Sequence, residues 1–244
     1  AICDHDTLCN LTNHTYFQLD GEGSGSIEKQ QLLVRANAYL PTDPTSIRTG
    51  EIAPVAGTPF DFTAYRSIGE ALEGKHEQLT YASGIDHSYV VDSHAPFQAA
   101  AYSAESGIGL TCTTTQPAVH VYTGNFVHVP ESLGKNGHRY TARSGFCLET
   151  QNYPDAIHHP NFPSPVVKAG ETYKKQIIYH FYKSKIDVYS IVPKINISFY
   201  ILIDEAAFFN KKLKKQCLFP VFLEINLHHL TLCTAFYLCN ELIP

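Results

Sequence analysis

The chain has 244 residues, of which 44% are apolar and 17% are charged, as expected for a globular protein with a buried core. Its formal net charge of −5 excludes a broad electrostatic preference for nucleic acid, so we expect no nucleic-acid partner. Its 7 cysteines are an odd number without a C-x-x-C pair, which argues against a disulfide framework and against a zinc site. Asp4, His5 and Asp6 interrupt any apolar run at the amino terminus, so we expect no signal peptide and a cytoplasmic protein with reduced thiols.

Short alternating runs separated by Gly, Pro, Asn, Asp and Ser clusters extend to about residue 182. Residues 31–39 are predicted to form one strand, and residues 97–103 and 108–115 flank a turn and are predicted to form a hairpin. Residues 171–182 are predicted to form the last strand, and only residues 67–77 have a possible helical period. The sequence therefore predicts an all-β, sandwich-like domain over residues 1–182.

The composition changes abruptly after about Tyr182. All 15 glycines precede this point, and Lys, Asn, Ile, Phe and Tyr become more frequent beyond it. Residues 217–238 are apolar enough to suggest a membrane helix, but Glu224, Asn226, His228 and His229 interrupt them, and a transmembrane helix tolerates few such residues. We therefore expect no membrane contact, and we expect residues 183–244 to be a disordered or irregular tail that does not extend the domain. The alternative is a tail that binds a partner.

Four segments, in this order, resemble the galactose mutarotases, the aldose 1-epimerase family. They are residues 9–17, 84–87, 114–126 and 144–151, with the sequences CNLTNHTYF, GIDH, TTQPAVHVYTGNF and SGFCLETQ. Any one of these segments is a weak signal, whereas all four in order across residues 4–182 are highly specific. The resemblance is to the carboxyl-terminal portion of the family.

The resemblance implies an antiparallel β-sandwich of the galactose mutarotase type and an isomerase that interconverts the α and β anomers of free hexoses such as galactose and glucose. Ring opening removes a proton from the C1 hydroxyl while the ring oxygen gains one, so it requires one base and one acid. By resemblance, Glu149 is the base, His14 is the acid, and Asp86 accepts hydrogen bonds from sugar hydroxyls. The family reaction implies no metal and no cofactor, and we expect a monomer.

Two departures from the family pattern affect these expectations. His120 stands where the family commonly carries a glutamine that reaches the sugar. The Leu-His-Gly-Gly and Asn-Arg segments of the family's amino-terminal half, which hold the substrate, are not found in this sequence. We therefore expect an incomplete sandwich with part of the sugar cradle missing, and feeble catalysis by this chain alone.

Two other functions remain open at this stage. A glycoside hydrolase would pair Glu149 with Asp86 or Asp155 at a separation that sequence does not reveal, and it would leave His14 without a role. A truncated, non-catalytic isoform would bind sugar weakly or interact with a partner through its tail.

Overall fold

A computed structural model of the chain describes residues 1–183, 197–198 and 233–235. The strands, in chain order, are β1 (Thr7–Leu8), β2 (His14–Phe17), β3 (Gln31–Val34), β4 (Ala36–Leu40), β5 (Ala53–Pro54), β6 (Arg66–Ser67), β7 (Asp86–Val91), β8 (Ala99–Tyr102), β9 (Ile108–Thr114), β10 (Ala118–Tyr122), β11 (Phe146–Gln151), β12 (Val166–Val167), β13 (Ile177–Lys183), β14 (Ile197–Ser198) and β15 (Cys233–Ala235). The helices are α1 (Ile68–Leu72) and α2 (Glu77–Tyr81), with short 3₁₀ turns at Lys135–Gly137 and Ala156–His158.

The strands form two antiparallel sheets and one small ribbon. The seven-stranded sheet has the order β15-β2-β11-β10-β7-β4-β5, and the six-stranded sheet has the order β14-β13-β9-β8-β3-β6. Strands β1 and β12 pair separately. The prediction of an all-β sandwich is confirmed.

The predicted single strand over residues 31–39 is wrong, because the chain changes sheets within it. Strand β3 pairs with β8 in the six-stranded sheet, whereas β4 pairs with β7 in the seven-stranded sheet. Arg35 lies between them as an exposed residue with its guanidinium over the ring of Phe97, 4.4 Å from the ring centroid. The alternation of buried and more exposed residues continues through this crossing, so the sequence pattern resembles that of one uninterrupted strand.

The other predicted elements are largely confirmed. Strands β8 and β9 form the predicted hairpin, with Ala99 opposite Cys112 and Tyr102 opposite Gly109. The last strand is shorter than predicted, since β13 begins at Ile177 rather than at residue 171. The predicted helical period over residues 67–77 corresponds to the five-residue helix α1, and α2 begins at Glu77.

The core lies between the two sheets. Phe17 of the seven-stranded sheet packs edge-on against Tyr179 of the six-stranded sheet, with ring centroids 5.0 Å apart. The Tyr179 hydroxyl donates a hydrogen bond of 2.6 Å to the carbonyl of Leu148, which ties β13 to β11. Burial of alternate side chains on β2 and β3 supplies one apolar face for each sheet.

The tail contributes two described pieces. Strand β14 pairs with β13, and β15 pairs with β2, so that each of them is an outer strand of its sheet. Apart from these strands and Lys183, residues 183–244 lie outside the described residues. The expectation that this segment does not extend the domain therefore stays a prediction. No helix in the described part of the chain combines the length and apolar character needed to cross a membrane.

Candidate active site

Strand β11 is buried on both faces, which is unusual for an antiparallel strand whose outer face meets solvent. Phe146 and Leu148 point into the core, whereas Cys147 and Glu149 alternate with them onto the opposite face. The register places His120 of β10 directly opposite Glu149, and Ser88 of β7 opposite His120. A row of polar side chains therefore crosses three adjacent strands on the outer face of the seven-stranded sheet.

Glu149 and His14 form the first part of this row. The His14 Nε2 atom lies 3.4 Å from Glu149 Oε1, and the side chains are 22% and 9% exposed, respectively. Burial raises the pKa of Glu149; Asp86 adds to this effect, and His120, His14 and Arg48 oppose it. A carboxylate whose pKa is raised toward neutrality is a better proton acceptor near neutral pH.

Cys147 lies on the other side of the His14 ring. Its Sγ atom is 3.5 Å from His14 Nδ1, and burial raises the pKa of the thiol well above its usual value. Cys147 is therefore a neutral thiol and a poor nucleophile. The ligand atoms of His14, Cys147 and Glu149 lie within 4.8 Å of one another, so within the described part of the chain these three side chains form a group that could hold a metal ion.

Asp86 and His120 form the second part of the row. His120 Nε2 lies 2.6 Å from Asp86 Oδ1, a short, charge-assisted contact. Burial by itself raises the pKa of Asp86, but the hydrogen bond and charge of His120, together with Arg48, lower it below its usual value. Asp86 is 34% exposed in its side chain and therefore presents an ionised carboxylate to the outer face.

The start of β7 is held by buried groups that fix Asp86. Its backbone N–H donates to His87 Nδ1 at 3.0 Å, and His87 Nε2 donates to Gln78 Oε1 at 3.1 Å. Gly84, two residues before Asp86, has a φ of +143° and lies against Arg143 and Asn125. Residues far apart in sequence therefore set the position of this carboxylate.

Sequence reasoning missed Arg48 and Ser88. Arg48 Nη2 lies 3.2 Å from His120 Nδ1, and Ser88 Oγ lies 2.9 Å from the same atom. The contact of Arg48 with His120 spans 72 residues of sequence. No motif marks Arg48, which stands in a turn-rich segment immediately before Thr49-Gly50-Glu51-Ile52.

The structure brings together His14, Glu149, Asp86 and His120, as the sequence resemblance implies, but it does not place Asp155 with them. Asp155 interacts instead with His158 and with His159, whose Nε2 atom is 3.3 Å away. Two cavities of about 450 Å³ and about 550 Å³ lie elsewhere on the molecule, lined in part by Gln116 and by Arg143, respectively. The candidate site lies outside both of these cavities, on the outer face of the seven-stranded sheet.

Comparisons with known proteins show the family to which this chain belongs. The family model for aldose 1-epimerase matches residues 1–180. Galactose mutarotase of Homo sapiens is 43% identical over 175 residues, and that of Sus scrofa is 44% identical over 175 residues; both alignments cover 71% of this chain and 49% of the relative. The crystal structure of an aldose epimerase homologue from C. elegans superposes with a TM-score of 0.67 at 29% identity, covering 75% of this chain and 54% of that one. The chain therefore spans about half the length of the curated relatives it matches.

Proposed function

Because this chain belongs to the aldose 1-epimerase family, we propose that it interconverts the α and β anomers of free hexoses such as D-galactose and D-glucose. Glu149 acts as the base at the C1 hydroxyl and His14 as the acid at the ring oxygen. Asp86 accepts hydrogen bonds from sugar hydroxyls, and His120 lies beside it. The observation that carries the proposal is the contact of 3.4 Å between His14 Nε2 and Glu149 Oε1 on one sheet face.

The chemistry follows from the position of the two reacting oxygens. The C1 hydroxyl and the ring oxygen are bonded to the same carbon, so an acid and a base that lie next to each other reach both. Glu149 takes the proton from the C1 hydroxyl while a His14 N–H gives a proton to the ring oxygen, and the C1–O5 bond breaks to leave an aldehyde. Rotation about the C1–C2 bond presents the other face of the aldehyde. Ring closure then returns the proton from O5 to His14 and the proton from Glu149 to O1.

Electrostatics supports this division of roles between the two carboxylates. The pKa of Glu149 is raised by burial, whereas the pKa of Asp86 is lowered, despite burial, by His120 and Arg48. Carboxylates whose environments push their pKa values apart suit different tasks, one as a proton carrier and one as a permanent acceptor.

Polarimetry tests the proposal directly. We expect the 244-residue chain to speed the approach of freshly dissolved α-D-galactose to its anomeric equilibrium only feebly, because the Leu-His-Gly-Gly and Asn-Arg segments that hold the substrate in the family are not found in it. The small increase above the buffer rate should nevertheless be proportional to protein concentration. A nitrophenyl galactoside, incubated in parallel, should release no nitrophenol. Release of nitrophenol would favour a glycoside hydrolase, and a rate independent of protein would contradict the epimerase.

Weak hexose binding without turnover is a second candidate function. The observation that favours it is the exposure of part of the site: Asp86 is 34% exposed and His14 is 22% exposed, so that water reaches the binding carboxylate and the acid, although Glu149 is buried. In that case titration with galactose should perturb the NMR signals of Asp86 and His120 while the polarimetric rate stays at the buffer value.

A further inference from the structure

Arg48 carries a guanidinium group buried beside the candidate site. The residue is 8% exposed, and its Nη2 atom lies 3.2 Å from His120 Nδ1. Its Nε and Nη1 atoms are inaccessible and have no hydrogen-bond partner within the described part of the chain. Because these two atoms are inaccessible, a bound sugar does not reach them, and the remaining nitrogen, Nη2, is directed at His120.

The segment that carries Arg48 is held at both ends. Thr42 pairs with Arg48 in an isolated bridge, and the Thr42 backbone binds the side-chain amide of Gln78 through contacts of 2.8 Å and 2.7 Å. The Asp43 carboxylate accepts the backbone N–H groups of Thr45 and Ile47, which closes the turn. The Arg48 carbonyl lies 3.1 Å from Nε2 of His159. These contacts fix the conformation of the loop, and the loop holds the guanidinium next to His120.

The contact with Arg48 determines which nitrogen of His120 carries the proton. A guanidinium donates hydrogen bonds and accepts none, so His120 Nδ1 must be the acceptor in this contact. Ser88 Oγ, 2.9 Å from the same nitrogen, is a hydroxyl that rotates to suit. His120 Nε2 then carries the hydrogen and donates it to Asp86 Oδ1 across 2.6 Å. This tautomer aims one Asp86 oxygen at His120 and leaves the other for a ligand.

Holding Arg48 in this place is costly to the fold. A buried donor without a partner has lost its hydrogen bonds to water without replacing them, and this cost is larger for a charged group. Burial also lowers the pKa of Arg48 to about 10, although Asp86 and Glu149 oppose that effect. A residue that serves the fold alone would gain from replacement by an apolar side chain of similar length.

We propose that Arg48 is a positioning residue of the sugar site, which acts through His120 to fix the tautomer and orientation that hold Asp86 for binding. The inference deepens the proposed function, since it takes Asp86 to be the sugar-binding carboxylate. The charge of Arg48 acts on the same groups, because it lowers the pKa of both Asp86 and Glu149. The other charged or titratable groups that act on Glu149 or respond to its charge lie on five strands: His14 on β2, His120 on β10, Asp86 on β7, Tyr179 on β13 and Cys147 on its own strand.

The direct test is the tautomer of His120 in the full chain with ¹⁵N-labelled histidine. Spectra are recorded at about pH 8, where an unperturbed imidazole is neutral, and the His120 signals are assigned by their loss in His120→Gln. We expect the Nε2–H tautomer in the wild type and a mixture of tautomers in Arg48→Met. Arg48→Gln, whose amide still donates, should keep the wild-type tautomer. Arg35→Met, which removes an exposed arginine remote from His120, is the matched control and should change nothing.

Thermal unfolding and kinetics separate positioning from a structural role. Arg48→Met should melt at or above the wild-type temperature, because it removes a buried cation whose Nε and Nη1 atoms have no hydrogen-bond partner in the described part of the chain. Its KM for galactose should rise about tenfold, the equivalent of one charged hydrogen bond of about 1.4 kcal/mol, with kcat nearly unchanged. The acidic limb of its kcat/KM profile should move to higher pH, since the pKa of Glu149 rises without Arg48, and Arg48→Lys should restore that limb.

Three results overturn the proposal: an unchanged His120 tautomer in Arg48→Met, a large fall in its melting temperature or a failure to fold, or a loss of kcat at constant KM. The last two are the results expected of a purely structural residue. If the wild-type chain shows no mutarotation, the proposed function fails, and the tautomer and melting measurements still decide the role of Arg48.

Discussion

Burial of individual ionisable side chains determines much of the chemistry on the outer face of the seven-stranded sheet. Glu149, His87 and Arg48 are all buried, yet they meet different partners. Burial raises the pKa of Glu149, lowers that of His87 to about 3, and lowers that of Arg48 to about 10. Each shift disfavours the charged form, as desolvation requires. His87 is therefore neutral at working pH and serves as a rigid link between Asp86 and Gln78.

His87 makes a testable contribution to the pH dependence of stability. Its folded pKa of about 3 lies below the unfolded value of about 6.5, so the unfolded state binds more protons between these limits. The stabilisation is fully present above pH 6.5 and is lost as pH falls, at up to about 1.4 kcal/mol per pH unit. We expect His87→Gln to be less stable at pH 7 but to lose less stability between pH 7 and pH 5.

Urea unfolding at the two pH values measures this difference. His94→Gln is the matched control, because His94 is exposed on a turn, and it should keep the wild-type pH dependence. Equal losses in wild type and His87→Gln would show that His87 is not held neutral by the fold.

Only part of the site is predictable residue by residue. His14, Asp86 and Glu149 lie in motifs that resemble a known family, so sequence alone is enough to predict them as site residues. Arg48 and Cys147 acquire their contacts with His120 and His14 through chain separations of 72 and 133 residues. Such contacts depend on turn geometry and strand register, which local sequence pattern does not encode.

At the scale of elements, strand register builds the site. Strands β10 and β11 pair so that His120 faces Glu149, and a slip of one residue would send Glu149 into the core. The crossing from β3 to β4 was not predicted, because buried and more exposed residues alternate on both sides of Arg35. A single exposed residue is enough for the chain to leave one sheet for the other.

The turn into β7 carries a prediction at this scale. Gly84 has a φ of +143°, and an added Cβ would lie 2.6 Å from Arg143 Nη2 and from Asn125 Oδ1. Gly84→Ala should therefore destabilise the fold by about 1–3 kcal/mol, as overpacking does, and should raise KM by displacing Asp86. Gly57→Ala is the matched control, since its φ of +75° is also positive but nothing lies within 4 Å of an added Cβ. Equal effects of the two substitutions on KM would contradict the assigned role of Gly84.

At the scale of the whole molecule, two sheets close over one main core. Its buried members run from Phe17 to Tyr179, and the family model matches residues 1–180. The strands β14 and β15 add outer positions to the two sheets. The sandwich was predictable from alternating patterns and turn residues, whereas the partners of the outer strands were not, since edge pairing lacks a sequence signature.

A chain that ends at Lys183 tests whether the β-sandwich folds without the tail that follows it. We expect it to keep the β-rich circular dichroism spectrum of the full chain, because every core residue that the structure describes precedes that point. Its mutarotation rate should match that of the full chain within about threefold, a difference of less than 1 kcal/mol in activation free energy. Loss of the β-rich spectrum would show that residues beyond 183 are needed to form the sandwich.

The central claim is that Glu149 and His14 exchange protons with a hexose on this sheet face. The measurement that tests it most directly is the polarimetric rate constant for α-D-galactose, with the buffer rate subtracted, for wild type, Glu149→Gln and His14→Asn. Each substitution should lower the rate by about 10²- to 10⁴-fold, or to the buffer value, as loss of a general acid or base does. Glu131→Gln, which alters an exposed glutamate, should match wild type. A wild-type rate in Glu149→Gln would contradict the account.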